Sequence, residues 1–240
     1  MKLSKFILAI FGAVVTISAL SLAQLPNAEA DRKLAIKVIN RIKINEQRML
    51  VLKGEVLPST IDPLIEKLND LDSISNEDIF LIINSPGGSV SDGMNLIRAM
   101  KSARSKIVCA IDTKAYSMAA IIATYCSKTY IHKYAAMMFH RATYVIQGHP
   151  EEVTSRVKFV NRYFDLLHAE IATNLHISKE EYNLRITNEW WLTAIDAAEF
   201  GIASAILNEL KYTYIAPPPN PLQILFGEKQ KTPNYIEMVN

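Results

Sequence analysis

The segment from Arg48 to Ser85 does most to limit what this chain can fold into. RMLVLKGEV (48–56) reads as a strand, STIDPLIEKLNDLDS (59–73) as a helix with Ser59 or Thr60 near its start, and DIFLIINS (78–85) as a buried strand. Strand, helix and strand in so short a span make a βαβ unit, which requires a parallel sheet and a right-handed crossover. The pattern then repeats: SVSDGMNLIRAMKSA (89–103) is helical, KIVCAID (106–112) is a short apolar strand, SMAAIIATYC (117–126) is helical, and KTYIHKYAAMMFH (128–140) alternates between strand and turn. The fold class expected is therefore α/β, built from repeated βαβ units.

Further along, residues 149–176 carry charges and apolar side chains at helical spacing for about seven turns. Pro150 and the glutamates at 151 and 152 stand where a helix start favours them. A helix of that length projects from a small domain or packs on a partner. TAIDAAEFGIAS (193–204) closes as a short helix, with Thr193 and Asp196 forming a capping-box start and Gly201 a stop.

The two ends differ in composition from this body. Lys2 and Lys5 precede an uncharged apolar stretch, Phe6 to Leu25, and NAEA then supplies small residues at Ala28 and Ala30, the layout of a secretory signal peptide cleaved after Ala30. The stretch is also nearly long enough for an uncleaved membrane anchor, the less favoured alternative. Residues 1–30 are thus a leader, 31–47 a basic lead-in (a helix or a mobile arm), 48–208 the folded domain, and 209–240 a tail holding half of the ten prolines. A formal net charge of +2 with both signs interspersed gives no basic stripe, so no nucleic-acid partner is expected. Cys109 and Cys126 lie in apolar surroundings. Export would permit a disulfide, but two buried thiols packing as small hydrophobes is the reading preferred, and no cysteine or histidine spacing suggests a metal.

Three places can carry chemistry. In IINSPGGSV the glycines follow a buried strand and open a helix, a turn that frees backbone amides to bind a phosphate or an oxyanion. Ser117 sits at the next strand-to-helix junction, where serine is usually only an N-cap. Both turns open at the carboxyl edge of a parallel sheet, where such sheets build their sites. His140 ends the run AAMMFH, and helix, turn and strand can return it to Ser117 as the base a serine nucleophile needs. Lys114 is read as solvated. His132, His149, His168 and His176 are read as surface residues, and Trp190 and Trp191 as packing beside Glu189.

INSPGGSVSDGM, YSMAA, MMFH and WWLTAIDAAEFGIAS, in this order, resemble the proteolytic subunit of the Clp protease, ClpP, from about Arg48 to about Leu207. The resemblance implies a crotonase-like fold, a protruding handle helix by which two rings interlock, and a serine peptidase that uses no cofactor. It assigns Ser117 as nucleophile, His140 as base, and the amides of Gly88 and Met118 as the oxyanion hole. The family places an aspartate where this chain has Glu189. A glutamate there can still orient the imidazole but must fold back to reach, with Asn188 as fallback and Asp196 as the less favoured alternative.

The family's rings are fed by a cytoplasmic ATP-driven unfoldase, whereas the leader points outside the cytoplasm, to a periplasmic or secreted protein. The expectation is an ATP-independent, ring-like homo-oligomer acting on peptides or unfolded chains without an ATPase partner. Two alternatives compete: an inactive scaffold on the same fold, and a crotonase-like enzyme that uses the glycine turn to hold an acyl-thioester enolate.

Overall fold

In the computed structural model, which describes residues 36–210, eight strands form one curled sheet. In chain order they are β1 (Val38–Ile39), β2 (Met49–Lys53), β3 (Ile79–Ser85), β4 (Ile107–Tyr116), β5 (Lys128–His132), β6 (Ala136–Phe139), β7 (Trp190–Thr193) and β8 (Ala205–Leu207). The helices are α1 (Pro58–Ile74), α2 (Val90–Ser102), α3 (Met118–Thr124), α4 (Pro150–Asn174), α5 (Lys179–Arg185) and α6 (Ala194–Glu199). The main path runs β1-β8-β5-β4-β3-β2 with every pairing parallel, while β6 pairs parallel with β4 and antiparallel with β7. This is the α/β architecture expected from the repeated βαβ units, with the long helix in its expected place. The leader, the start of the lead-in and the proline-rich tail lie outside the described residues.

The central strands are apolar on both faces because helices cover one side and lead-in residues Ile42 and Ile44 pack on part of the other. In β3 five of seven residues are buried, and the main core gathers Leu50 and Leu52 of β2, Leu81 and Ile83 of β3, and the inward faces of α1, α2 and α3. A smaller cluster of Ile42, Ile44, Ile82, Ala110 and Leu207 fills the opposite face. Thr60 marks the start of α1, its hydroxyl accepting the Leu57 backbone N–H at 3.0 Å. Ser89 caps α2, and Thr193 with Asp196 closes the capping box expected on α6.

Three features differ from the sequence expectation. The strand expected at 106–112 runs on to Tyr116, and it changes partners along its length: Val108–Ile111 pair with β5, Lys114–Tyr116 with β6. Part of the lead-in is a strand and not a helix or a free arm: Val38 and Ile39 pair with Ile206 and Leu207. Cys109 and Cys126 are a disulfide, with Cα atoms 5.8 Å apart, and not two separate thiols. The cause is topological, because α3 folds back over the strand it leaves and returns its last turn to the middle of β4.

Candidate active site

The site is built where β4 gives way to α3. Ser117 stands between them with φ 54° and ψ −123°, a region that side chains other than glycine rarely occupy. Its backbone N–H still donates to Met138 O at 2.7 Å, so the sheet pairing with β6 holds up to the turn itself. By position Ser117 is the N-cap of α3, yet its side chain makes no capping hydrogen bond. The hydroxyl instead meets His140 Nε2 at 2.7 Å. His140 directly follows β6, which lies beside the last residues of β4, and it is half-buried. The helix-turn-strand return anticipated from the sequence is what joins the two.

The glycine turn packs against this junction. Gly87 has φ +89° and Gly88 φ +148°. A Cβ on Gly87 would meet Tyr116 O at 2.5 Å, Met118 N at 2.8 Å and Ser117 Cβ at 2.8 Å, and one on Gly88 would meet Val56 O at 2.6 Å. Only glycine lets the two turns approach this closely. Ser85, fully buried, accepts the Gly87 N–H on its hydroxyl at 3.1 Å, and Val56 ties down the far side through Gly87 O and Ser89 N at 2.8 Å each. The Met118 N–H belongs to the first turn of a helix, where no intrahelical acceptor exists. That amide and Gly87 therefore lie against one another at the Ser117 junction, with Gly88 the next residue along the turn.

Glu189 is placed less firmly. In the antiparallel ladder Phe139 faces Trp190, so one step further sets Glu189 opposite His140. The carboxylate, however, accepts the Trp191 indole N–H at 2.9 Å, and the residue is exposed. Trp191 in turn packs edge-on against Tyr116, with centroids 5.0 Å apart, next to Ser117 in the chain. Trp190 points the other way, its buried ring tilted against Phe139 and edge-on to Phe200. Asn188 is exposed, and Asp196 is spent on its cap, accepting from Thr193 N and Oγ1 at 2.8 and 2.6 Å.

Beside Ser117 and His140 opens a small pocket walled by Val90, Met118, Ile121, Phe164, Leu167 and Tyr182. His168 also borders it. That corrects the reading of His168 as a surface residue: the ring is half-buried, its Nδ1 lies 2.9 Å from Asn183 Oδ1, and burial pushes its pKa below the usual histidine value. The signal is present in the sequence as helical periodicity, since His168 follows buried Leu167 on the inward face of α4, but nothing local connects it to Ser117. Burial likewise raises the Tyr182 phenol. Among the described residues no group of three or more His, Cys, Asp or Glu side chains is placed to hold a metal ion.

Comparison with known proteins shows the family. Residues 31–210 match the family model described as Clp protease. The chain is 26% identical over 168 residues to the ATP-dependent Clp protease proteolytic subunit of Borrelia garinii subsp. bavariensis, covering 69% of this chain and 87% of that protein. It is 26% identical over 172 residues to the subunit of the same name from Ligilactobacillus salivarius, covering 70% and 87%. Against the chloroplastic ATP-dependent Clp protease proteolytic subunit 3 of Arabidopsis thaliana it is 28% identical over 181 residues, covering 71% of this chain and 56% of that one.

Proposed function

The chain belongs to the Clp protease family and is a ClpP-type serine peptidase, a hydrolase, and from that premise we propose that it cleaves peptide bonds with Ser117 as nucleophile and His140 as general base. The 2.7 Å contact between Ser117 Oγ and His140 Nε2 carries this reading. The imidazole takes the hydroxyl proton as the oxygen attacks the scissile carbonyl, and the carbonyl oxygen becomes an oxyanion facing the N–H groups of Gly88 and Met118. The imidazolium then gives its proton to the leaving amine. Water, activated by the same histidine, releases the acyl group and restores Ser117. Glu189 stabilises the imidazolium when its carboxylate leaves the Trp191 indole and turns toward His140, which it faces across the ladder. The scaffold and thioester alternatives leave a hydroxyl-imidazole pair with no task.

The same reading extends to place and assembly. The leader layout favours work outside the cytoplasm, and the Cys109–Cys126 disulfide supports it, since such bonds persist in oxidising compartments. Outside the cytoplasm neither ATP nor an unfoldase is at hand, so the substrates are short or already unfolded chains. The family forms oligomeric rings, and α4 offers Phe159 and Leu166, both strongly exposed, as the surface on which copies of this chain would pair.

The test is degradation of an unfolded casein by the purified protein in nucleotide-free buffer, with Ser117→Ala beside it. Cleavage by wild type alone, unchanged by added ATP, is the expected result. Absence of cleavage by an assembled wild-type sample would overturn the reading.

A further inference from the structure

The pocket beside Ser117 is apolar on nearly every side, yet a histidine borders it. His168 comes from α4 and is fixed from three directions. Its Nδ1 faces the Asn183 carboxamide oxygen of α5 at 2.9 Å, Tyr182 packs edge-on at 5.4 Å, and Phe164 lies tilted against it at 6.1 Å. An amide oxygen can only accept, so Nδ1 carries the hydrogen, and the neutral ring keeps its lone pair on Nε2. Its hydrogen bond among the described residues is the one at Nδ1, and the ring is part of the pocket lining. The charged neighbours are Arg141, Asp165 and Lys179. Burial first, then Arg141 and Lys179, disfavour the cation, while the Asn183 bond and Asp165 favour it, and the balance leaves the ring neutral at pH 7.

We propose that His168 determines specificity: its Nε2 gives an apolar pocket one hydrogen-bond acceptor. The pocket then prefers, in the residue that supplies the scissile carbonyl, an unbranched neutral side chain ending in a donor. Glutamine has that shape and an amide N–H, whereas methionine has nearly the same length and no donor. Glutamate has the length of glutamine but only acceptors at neutral pH. The inference rests on the serine-peptidase reading of Ser117 and His140, and it adds a polar requirement that the pocket's apolar walls do not supply.

The experiment uses three peptides that differ only in that residue, glutamine, methionine or glutamate, hydrolysed by the purified protein at pH 8. Ratios of kcat/KM taken on one enzyme cancel any change in the shared chemical step. The glutamine-to-methionine ratio should fall roughly three- to tenfold in His168→Phe, which keeps the ring against Phe164 and Tyr182 but removes both nitrogens, while the glutamate-to-methionine ratio should not fall. His168→Gln, whose amide oxygen can still accept, should retain the glutamine preference, and it decides alone should His168→Phe fail to fold. A glutamine-to-methionine ratio unchanged in folded His168→Phe, or lost in His168→Gln, overturns the role of His168. Failure to hydrolyse any of the three, together with no fluorophosphonate adduct on Ser117, would instead bring down the peptidase reading on which it rests.

Discussion

The two halves of the candidate site are held by different means. On the Ser117 side the backbone fixes everything: β4 pairs with β6 up to the turn, two positive-φ glycines close over it, and a disulfide ties α3 back to β4. On the Glu189 side the backbone supplies only a register position opposite His140, and an exposed carboxylate holds an indole N–H instead. The difference teaches that the Ser117–His140 pair is set by folding, whereas the position of the Glu189 carboxylate is a side-chain choice between two partners. A choice of that kind is small in energy and can be tipped by a single substitution.

The glycine turn should give the largest break. Gly87→Ala drives a methyl into Tyr116 O and the Ser117 turn at a positive φ, and backbone cannot move aside as a flexible side chain can. Peptidase activity should fall by more than about a hundredfold, the order seen when an oxyanion donor is lost, while circular dichroism remains that of a folded protein. Near-normal activity in this variant would mean that the turn is only a connector.

The acid side should respond less. Glu189→Gln should lower kcat by about ten- to a hundredfold, less than the loss typical of a triad whose carboxylate is already bound to its histidine. Trp191→Phe removes the competing indole donor and should raise kcat a few-fold in the otherwise native chain. If Trp191→Phe is slower than wild type, the indole is positioning Glu189 and not diverting it.

Breaking the disulfide tests whether the Ser117 side depends on its covalent tie. The two cysteines are 17 residues apart, and the Cys109→Ala/Cys126→Ala pair should lose about 2–4 kcal/mol in urea unfolding with little change in kcat. A large loss of kcat in a folded sample would make the bond part of the turn's geometry. The smallest effect is expected far from the site. Ser105, through its hydroxyl and its backbone N–H, and Arg104 hold the Asp72 carboxyl at about 2, below its ordinary 3.8. The ionised form is the one favoured by folding, so this contribution is complete above pH 3.8 and is lost as pH falls through about 2. Asp72→Asn should flatten stability against pH in that window and leave it unchanged in slope near neutrality.

Local chemistry explains which parts of this are legible in the sequence. Period, caps and glycine turns are written in adjacent residues, so β2, α1, β3, α2, the long α4 and the Thr193/Asp196 cap follow from the sequence, as does the junction that carries Ser117. The resemblance in YSMAA and MMFH points to the two residues that meet at 2.7 Å. Contacts made by distant residues are not legible. Val38 and Ile39 are too short a run to show a strand, and they become one only because Ile206 and Leu207 offer an edge. Nor do α5 and the WWLT strand of β7 follow from the sequence, the latter being defined by its pairing with β6. Cys109 and Cys126 meet because α3 doubles back, and His168 reaches the pocket because α4 packs over α3. Spacing along the chain carries none of this.

The central claim is that Ser117 is a nucleophile activated by His140 and not a helix cap. Intact mass of the purified protein after treatment with a fluorophosphonate tests it most directly, with Ser117→Ala and His140→Ala treated alongside. The account predicts one adduct per chain in wild type, none in Ser117→Ala, and labelling slowed by about a thousandfold or more in His140→Ala. An unlabelled wild type in a folded, assembled sample, or equal labelling of wild type and His140→Ala, would contradict it.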